Sequence, residues 1–239
     1  MILHGDGQQT LDVLAFGPHP DDAEIGLAGT LCRLTREGRA VGVADLTRGE
    51  LSSNGTVEDR LNESRAAASI MGIAVRENLE LHDGALDNSA RTLRPIIEAI
   101  RRYRPRVVCL PHWEDRHPDH IAASRLLTEA AYRAGLAKWP AGGEPYRPER
   151  VVYYFINGNA QPSFVIATSA YFEQKMEALR AHGSQFNRTA AGAATPINDP
   201  RYFEMIEARD RYFGSLVGER YAEGFIYQGV IALPSLATL

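Results

Sequence analysis

The chain has 239 residues, of which 44% are hydrophobic and 23% are charged, and its formal net charge is -4. That length suits an α/β domain with a sizeable core, and the composition is that of an ordinary soluble globular protein. The acidic balance and the lack of a long basic block exclude a nucleic-acid-binding role.

The cysteines and the N-terminus bear on where the protein works. Cys32 and Cys109 fall in apolar patterns, so both are expected to be core thiols rather than a disulfide pair. No signal-peptide pattern begins the chain, and no run approaches the roughly 20 apolar residues of a membrane span. We therefore predict a cytoplasmic protein without a membrane segment.

The first part of the chain alternates between apolar runs and amphipathic stretches. Strands are predicted at residues 12–16, 40–46, 78–81 and 106–110, and helices at residues 23–37, 58–71, 92–103 and 118–135. Repeated strands and helices with right-handed crossovers form a mostly parallel sheet covered on both faces. The predicted fold class is α/β and Rossmann-like.

The remainder of the chain predicts an extension of strands and helices. Strands are expected at residues 151–156, 163–167 and 225–230, and helices at residues 171–182 and 201–213. Residues 184–200 form a surface loop, a lid or an oligomer contact. Because no repeat or long linker interrupts the pattern, residues 1–239 are predicted to be one domain.

A first polar cluster lies where the first strand gives way to the first helix. Residues 17–22 read Gly-Pro-His-Pro-Asp-Asp, which places His19 close to the adjacent carboxylates of Asp21 and Asp22. Desolvating two adjacent anions costs free energy unless a cation or hydrogen-bond donors compensate. The cluster is therefore interpreted as half of a metal site.

A second polar cluster, at residues 112–120, follows a later strand of the same sheet. Pro118 suits the first turn of a helix, because it lacks the amide hydrogen that would be unsatisfied there. His117 and His120 are then i,i+3 neighbours on one side of that helix. Ligands gather at the carboxyl ends of the strands in such sheets, so the two clusters are expected to meet.

The simplest assignment takes His19, Asp22 and His120 as two histidines and a carboxylate that leave coordination positions open, as in a catalytic zinc site. Iron(II) suits the same set. Asp21 would then be placed to take a proton from an attacking water. The alternative, that these residues are helix caps and loop residues, is disfavoured because two His-Pro-Asp motifs occur together.

The catalytic set is completed from the second cluster. His117 is expected to lie across the metal, and Asp119 is expected to hold the other ring nitrogen of His117. A protonated His117 would then share the charge of a tetrahedral oxyanion and deliver a proton to the leaving amine.

The motifs resemble a known family, the LmbE-like or PIG-L-like zinc-dependent N-deacetylases of amino sugars. The residues that carry the resemblance are 18–24 (Pro-His-Pro-Asp-Asp-Ala-Glu) and 117–120 (His-Pro-Asp-His), supported by 45–50 and 60–63. It spans nearly the whole chain and implies the same metal ligands, general base and oxyanion group as the assignment above. It also implies a homo-oligomer, with a hexamer as one form.

Within that family the pattern is most similar to the bacillithiol-biosynthesis deacetylases, which implies N-acetylglucosaminyl malate as the substrate. Another amino sugar, such as N-acetylglucosamine or a chitooligosaccharide, is the alternative. The resemblance makes Arg60 a substrate-binding residue, and Asp83 is either a contact to sugar hydroxyls or a turn residue. Arg48 and Arg60 are the guanidinium groups that a malate dicarboxylate would favour. Tyr202 is a further candidate donor.

Two other functions compete with this one. Residues 117–120 overlap part of a metallo-β-lactamase motif, but that motif also requires a histidine where this chain has Asp115. A non-enzymatic sugar- or nucleotide-binding Rossmann-like module would place a glycine-rich fingerprint in the first strand-to-helix turn. Residues 17–22 occupy that position, so both alternatives are weaker.

Overall fold

The computed structural model describes residues 10–188, 190, 192–232 and 235. In this part of the chain the strands are β1 (Val13–Gly17), β2 (Val41–Thr47), β3 (Val75–Leu81), β4 (Val107–Pro111), β5 (Arg150–Tyr154), β6 (Phe164–Ala167) and β7 (Ala222–Ile226). The helices are α1 (Asp22–Arg36), α2 (Val57–Met71), α3 (Ala90–Tyr103), α4 (Pro118–Arg133), α5 (Phe172–Ala181), α6 (Gly183–Phe186) and α7 (Arg201–Ser215). Short 3₁₀ helices occupy Ser169–Tyr171 and Pro196–Asn198.

The described strands form one sheet in the order β3-β2-β1-β4-β5-β7-β6. The pairs from β3 to β5 are parallel, whereas β7 is antiparallel to both of its neighbours. The predicted α/β class with a mostly parallel sheet is confirmed, and the C-terminal extension supplies the antiparallel edge.

Helices cover both faces of this sheet because the side chains of each strand alternate between two core layers. Val13 and Ala15 belong to the layer that includes residues of α1, α2, α5 and α7. Leu14 and Phe16 belong to the layer built with α3 and α4. Cys32 and Cys109 are buried free thiols in the first layer, as predicted.

The direction in which strands are added to the sheet reverses between β1 and β4, and this reversal determines where the predicted metal site lies. The chain runs from β1 outward to β2 and β3, then returns to place β4 on the other side of β1. The helices that follow these two strands leave on opposite faces, so a crevice opens at their carboxyl ends. The loops that begin at Pro18 and His112 face each other across that crevice.

Two strands differ from their predicted ranges by three residues or more, because they contain charged residues. β3 begins at Val75, three residues earlier than predicted, and it includes Arg76 and Glu77 on an edge strand. β7 ends at Ile226 and includes Glu223, whose side chain is fully buried. A charge interrupts the apolar run that marks a strand in the sequence, so neither extension was visible there.

No helix among the described residues is long and apolar enough to cross a lipid bilayer. The single-domain boundary, the homo-oligomer and the cytoplasmic location remain predictions.

Candidate active site

The two polar clusters meet between the carboxyl ends of β1 and β4, as predicted. Nδ1 of His19 lies 3.1 Å from Oδ2 of Asp22, and Nε2 of His120 lies 3.3 Å from Oδ1 of the same carboxylate. One donor atom from each of these three residues lies within 4.8 Å of the others, and all three side chains are buried. The structure thus brings together the three residues assigned as ligands.

Local structure orients these side chains. Asp22 is the first residue of α1, and its Oδ2 accepts the backbone amide of His19 at 2.8 Å. His117 is the N-cap of α4, and Pro118 opens the helix, as its missing amide hydrogen predicts. The rings of His117 and His120 stack with centroids 4.7 Å apart, as i,i+3 neighbours should.

Carboxylates contact the outer ring nitrogen of each histidine that was assigned as a ligand. Nδ1 of His120 lies 3.2 Å from Asp115, and Nε2 of His19 lies 3.0 Å from Asp83 and 3.3 Å from Asp119. Such contacts fix the tautomer of a metal-binding histidine, so that the inner nitrogen keeps its lone pair. Two imidazoles and a carboxylate, supported in this way, form a donor set that fits a divalent cation such as zinc or iron(II).

The electrostatics of the triad also favour a cation. Burial opposes protonation of His120, but the charges of Asp22 and Asp115 outweigh burial and raise the pKa of His120 to about 9. Burial likewise opposes the charged form of Asp22, yet His120 and His19 hold the pKa of Asp22 below its usual range. The buried carboxylates therefore attract positive charge to this point, either as protons on the rings or as a metal ion.

Asp21, the residue assigned as general base, is held in an unusual backbone conformation. Its φ of 129° lies in a region that non-glycine residues rarely adopt, and such strain is concentrated at functional sites. Its Oδ2 accepts a hydrogen bond from Nη2 of Arg60 at 3.2 Å. Burial raises the pKa of Asp21 to about 6, although the Arg60 charge opposes the shift. A carboxylate with that pKa suits proton transfer near neutral pH.

The contact between His117 and Asp119 differs from the predicted one. The backbone amide of Asp119 donates to Nδ1 of His117 at 3.2 Å, whereas the Asp119 carboxylate contacts the Gly84 amide and the ring of His19. Burial, followed by the charges of His120 and His19, lowers the pKa of His117. A neutral ring whose Nδ1 accepts carries its proton on Nε2, so the neutral form of His117 offers a hydrogen-bond donor to the cleft that it lines.

Comparison with known proteins agrees with this geometry. The family model described as "PIG-L: GlcNAc-PI de-N-acetylase" matches residues 14–131. The chain is 33% identical to a diacetylchitobiose deacetylase of Thermococcus kodakarensis, over 89% of this chain and 81% of the relative. The chain belongs to the PIG-L family of deacetylases.

Two further relatives concern the substrate class within the family and the fold. A probable N-acetyl-alpha-D-glucosaminyl L-malate deacetylase 2 of Bacillus anthracis is 29% identical over 73% of this chain and 81% of its own length. The crystal structure of the conserved protein TT1542 from Thermus thermophilus superposes with a TM-score of 0.86. That protein is 42% identical, with 94% of this chain and 98% of the solved chain covered.

Of the two arginines expected at the substrate site of this PIG-L family chain, Arg60 lies in the cleft and Arg48 does not. Arg60 lines the cleft, but its Nη2 also donates to the Pro20 carbonyl at 2.6 Å, so its contacts are mainly internal. Arg48 lines a separate pocket, whose lining also includes Pro20. Asp83 lines the cleft and contacts His19, a role that its position before Gly84 did not indicate.

Two residues that sequence reasoning missed, Asp115 and Asn157, support the site. The amide group and backbone amide of Asn157 donate to Asp115 at 3.0 and 3.1 Å, and Asp115 contacts His120. Tyr202, the candidate donor, is buried and donates to Oδ1 of Asn157 at 2.9 Å. Asp115 follows β4 and Asn157 follows β5, so their positions after strands were the available signal.

Described residues of the segment 184–200 form one wall of the cleft, which has a volume of about 550 Å³. Its lining includes Gln185 and Ile197. The side-chain amide of Asn54 donates to the Ala193 carbonyl at 3.0 Å and accepts the Ala193 amide at 2.9 Å. The described part of the segment is therefore hydrogen-bonded to the loop before α2 and limits the space beside the triad. A role in oligomer contact stays a prediction.

Proposed function

We propose that the chain is a metal-dependent N-deacetylase that releases acetate from an N-acetylglucosamine unit of a small saccharide, with a chitooligosaccharide as the first choice. The observation that carries the proposal is that Asp21 and the triad of His19, Asp22 and His120 line one cleft. The likeness to a diacetylchitobiose deacetylase supports the same chemistry. We propose zinc as the metal, with iron(II) as the alternative that the ligand set also suits.

The residues around the triad supply the steps of amide hydrolysis. When bound, a divalent cation polarises the acetamide carbonyl and lowers the pKa of a water molecule. Asp21 takes the proton of the attacking water, and Arg60 keeps the Asp21 carboxylate ionised and oriented. His117 donates from Nε2 to the developing oxyanion. Asp21 then returns the proton to the departing amine, so that the amine leaves in neutral form.

The arrangement of arginines favours a saccharide over the malate conjugate. A dicarboxylate calls for free guanidinium groups in the cleft. Arg48 lies outside the cleft, and Arg60 is engaged by Asp21 and the Pro20 carbonyl. Arg116 at the rim is exposed and donates to Asn157, so it is the cation that a malate carboxylate would meet. The malate conjugate therefore stays as the second candidate, supported by the Bacillus relative.

The test is a substrate panel scored by release of free amine. Metal-stripped protein is reloaded with zinc or with iron(II) and given diacetylchitobiose, N-acetylglucosamine, N-acetylglucosaminyl malate and N-acetylglucosaminyl inositol. We expect the highest kcat/KM on diacetylchitobiose and no turnover without metal. A preference for the malate conjugate would change the proposed substrate and leave the proposed N-deacetylase reaction unchanged. Failure to release amine from every substrate, with either metal, would refute the proposal.

A further inference from the structure

The helix that begins with Asp22 is broken in its middle. Leu27 has φ of -150° and ψ of 17°, which is not a helical conformation. In a continuous α-helix the amide of Gly29 would bond to the carbonyl of Ile25. In this chain the Gly29 amide donates to Glu223 at 3.0 Å, and the Ile25 carbonyl accepts from Nη2 of Arg209 at 2.6 Å. The amide of Gly29 and the carbonyl of Ile25, which would pair with each other in a continuous helix, are thus each hydrogen-bonded to a charged side chain.

A chain of buried charges spans the break. Glu223 also accepts the amide of Thr30 at 2.6 Å and lies 2.7 Å from Nζ of Lys175. Lys175 lies 2.6 Å from Asp210, which lies 3.4 Å from Nε of Arg209. The two cations and two anions balance, and all four residues are buried. Buried ion pairs add little net stability compared with apolar packing, so a positional role is the better explanation.

Arg209 links two backbone segments that lead to the triad of His19, Asp22 and His120. Its Nη1 donates to the carbonyls of Phe155 and Ile156 at 3.0 and 2.7 Å, while its Nη2 holds Ile25. Ile25 lies three residues after Asp22 on α1. Ile156 directly precedes Asn157, which contacts Asp115 and the ring of His120. One guanidinium therefore joins the turn that carries Asp22 to the loop that supports His120.

We propose that Arg209 is a positioning residue of the metal site, which sets the separation of Asp22 from His120 through these backbone carbonyls. The proposal rests on the metal triad of the proposed function. A planar guanidinium can donate to three carbonyls in fixed directions, whereas a lysine ammonium is a compact point charge on a flexible stem. Arg209→Lys should therefore keep the buried positive charge and lose the directed hydrogen bonds to the three carbonyls.

The experiment measures zinc affinity by competition with a chromogenic chelator, on metal-stripped protein whose folding is checked by circular dichroism. We expect Arg209→Lys to bind zinc roughly tenfold more weakly than the unmodified chain, the lower end of the loss seen for groups that support metal ligands. Arg211→Lys, an exposed position on the same helix, should bind as the unmodified chain does. Ile97→Ala, in the opposite core layer, controls for a general loss of stability.

The outcomes separate this proposal from the function on which it rests. If the unmodified chain binds neither zinc nor iron(II), the proposed function fails before Arg209 is tested. If it binds iron(II) and not zinc, the same variants are compared by their affinity for iron(II). If Arg209→Lys binds zinc as tightly as the unmodified chain, the positioning role is overturned. It is also overturned if Ile97→Ala, at a similar fall in melting temperature, weakens zinc binding equally, or if Arg209→Lys does not fold.

Discussion

The pairing of Arg60 with Asp21 predicts how activity depends on pH. Nη2 of Arg60 lies 3.2 Å from Oδ2 of Asp21, and both side chains are about 95% buried. An opposite charge at such a distance lowers the pKa of a carboxyl group by roughly 1–3 units. Arg60→Gln removes that charge while keeping a donor for the Pro20 carbonyl. The pKa of Asp21, about 6 with the arginine present, should therefore rise to roughly 7–9.

The sign of the effect follows from the role of a base, which acts only when it is ionised. With a pKa of about 6, roughly nine in ten Asp21 carboxylates are ionised at pH 7. With a pKa of roughly 7–9, the ionised fraction at pH 7 falls to between about a half and a hundredth. We therefore expect kcat/KM of Arg60→Gln to fall roughly 2- to 100-fold at pH 7 and to recover above about pH 9.

The assay is kcat/KM for amine release between pH 5 and 10, with metal at saturation. Arg65→Gln is the matched control, because Arg65 is an exposed arginine on the same helix whose partner is Asn62. Its pH profile should match that of the unmodified chain. The reasoning would be refuted if kcat/KM of Arg60→Gln fell at the same acidic pH as that of the unmodified chain, while KM was raised. Arg60 would then be the substrate-binding residue that the family resemblance implies.

Three further predictions test the remaining parts of the site. Asp21→Asn should lower kcat roughly 10²–10⁴-fold with metal content unchanged, and activity near the unmodified level would remove Asp21 as the base. His120→Ala should lose the metal, and full metal content by elemental analysis would contradict its role as a ligand. Asn54→Ala removes two hydrogen bonds to Ala193, in the segment that forms one wall of the cleft. KM should therefore rise roughly 3- to 10-fold with kcat unchanged. An unaltered KM in initial-rate assays would argue against this wall as part of the substrate site.

Much of the fold and the centre of the site could be predicted from sequence because their determinants are local. The apolar run that stops at Gly17 and Pro18 marks the end of β1, and the periodic residues after Asp22 mark α1. Pro118 sets the start of α4, which places His117 and His120 on one side. Parallel strands then bring both clusters to one edge of the sheet.

The supporting contacts could not be predicted, because they join residues that are distant in sequence. Asp115 and Asn157 meet through adjacent parallel strands, and nothing near either residue in sequence indicates the partner. Glu223 interrupts an apolar pattern, and an isolated charge in a strand is ordinarily a surface residue. Only the folded chain brings Glu223 to the amides of α1 and Arg209 to the carbonyl of Ile25.

The sequence by itself thus determined which side chains can bind a metal and transfer a proton, since these are properties of residue type and of spacing within one turn or one loop. Tertiary structure alone decided which carboxylate holds which histidine, that Arg60 serves Asp21, and that Arg48 lies outside the cleft. The reason is physical: side-chain chemistry is a local property, whereas burial and pairing depend on how distant segments pack.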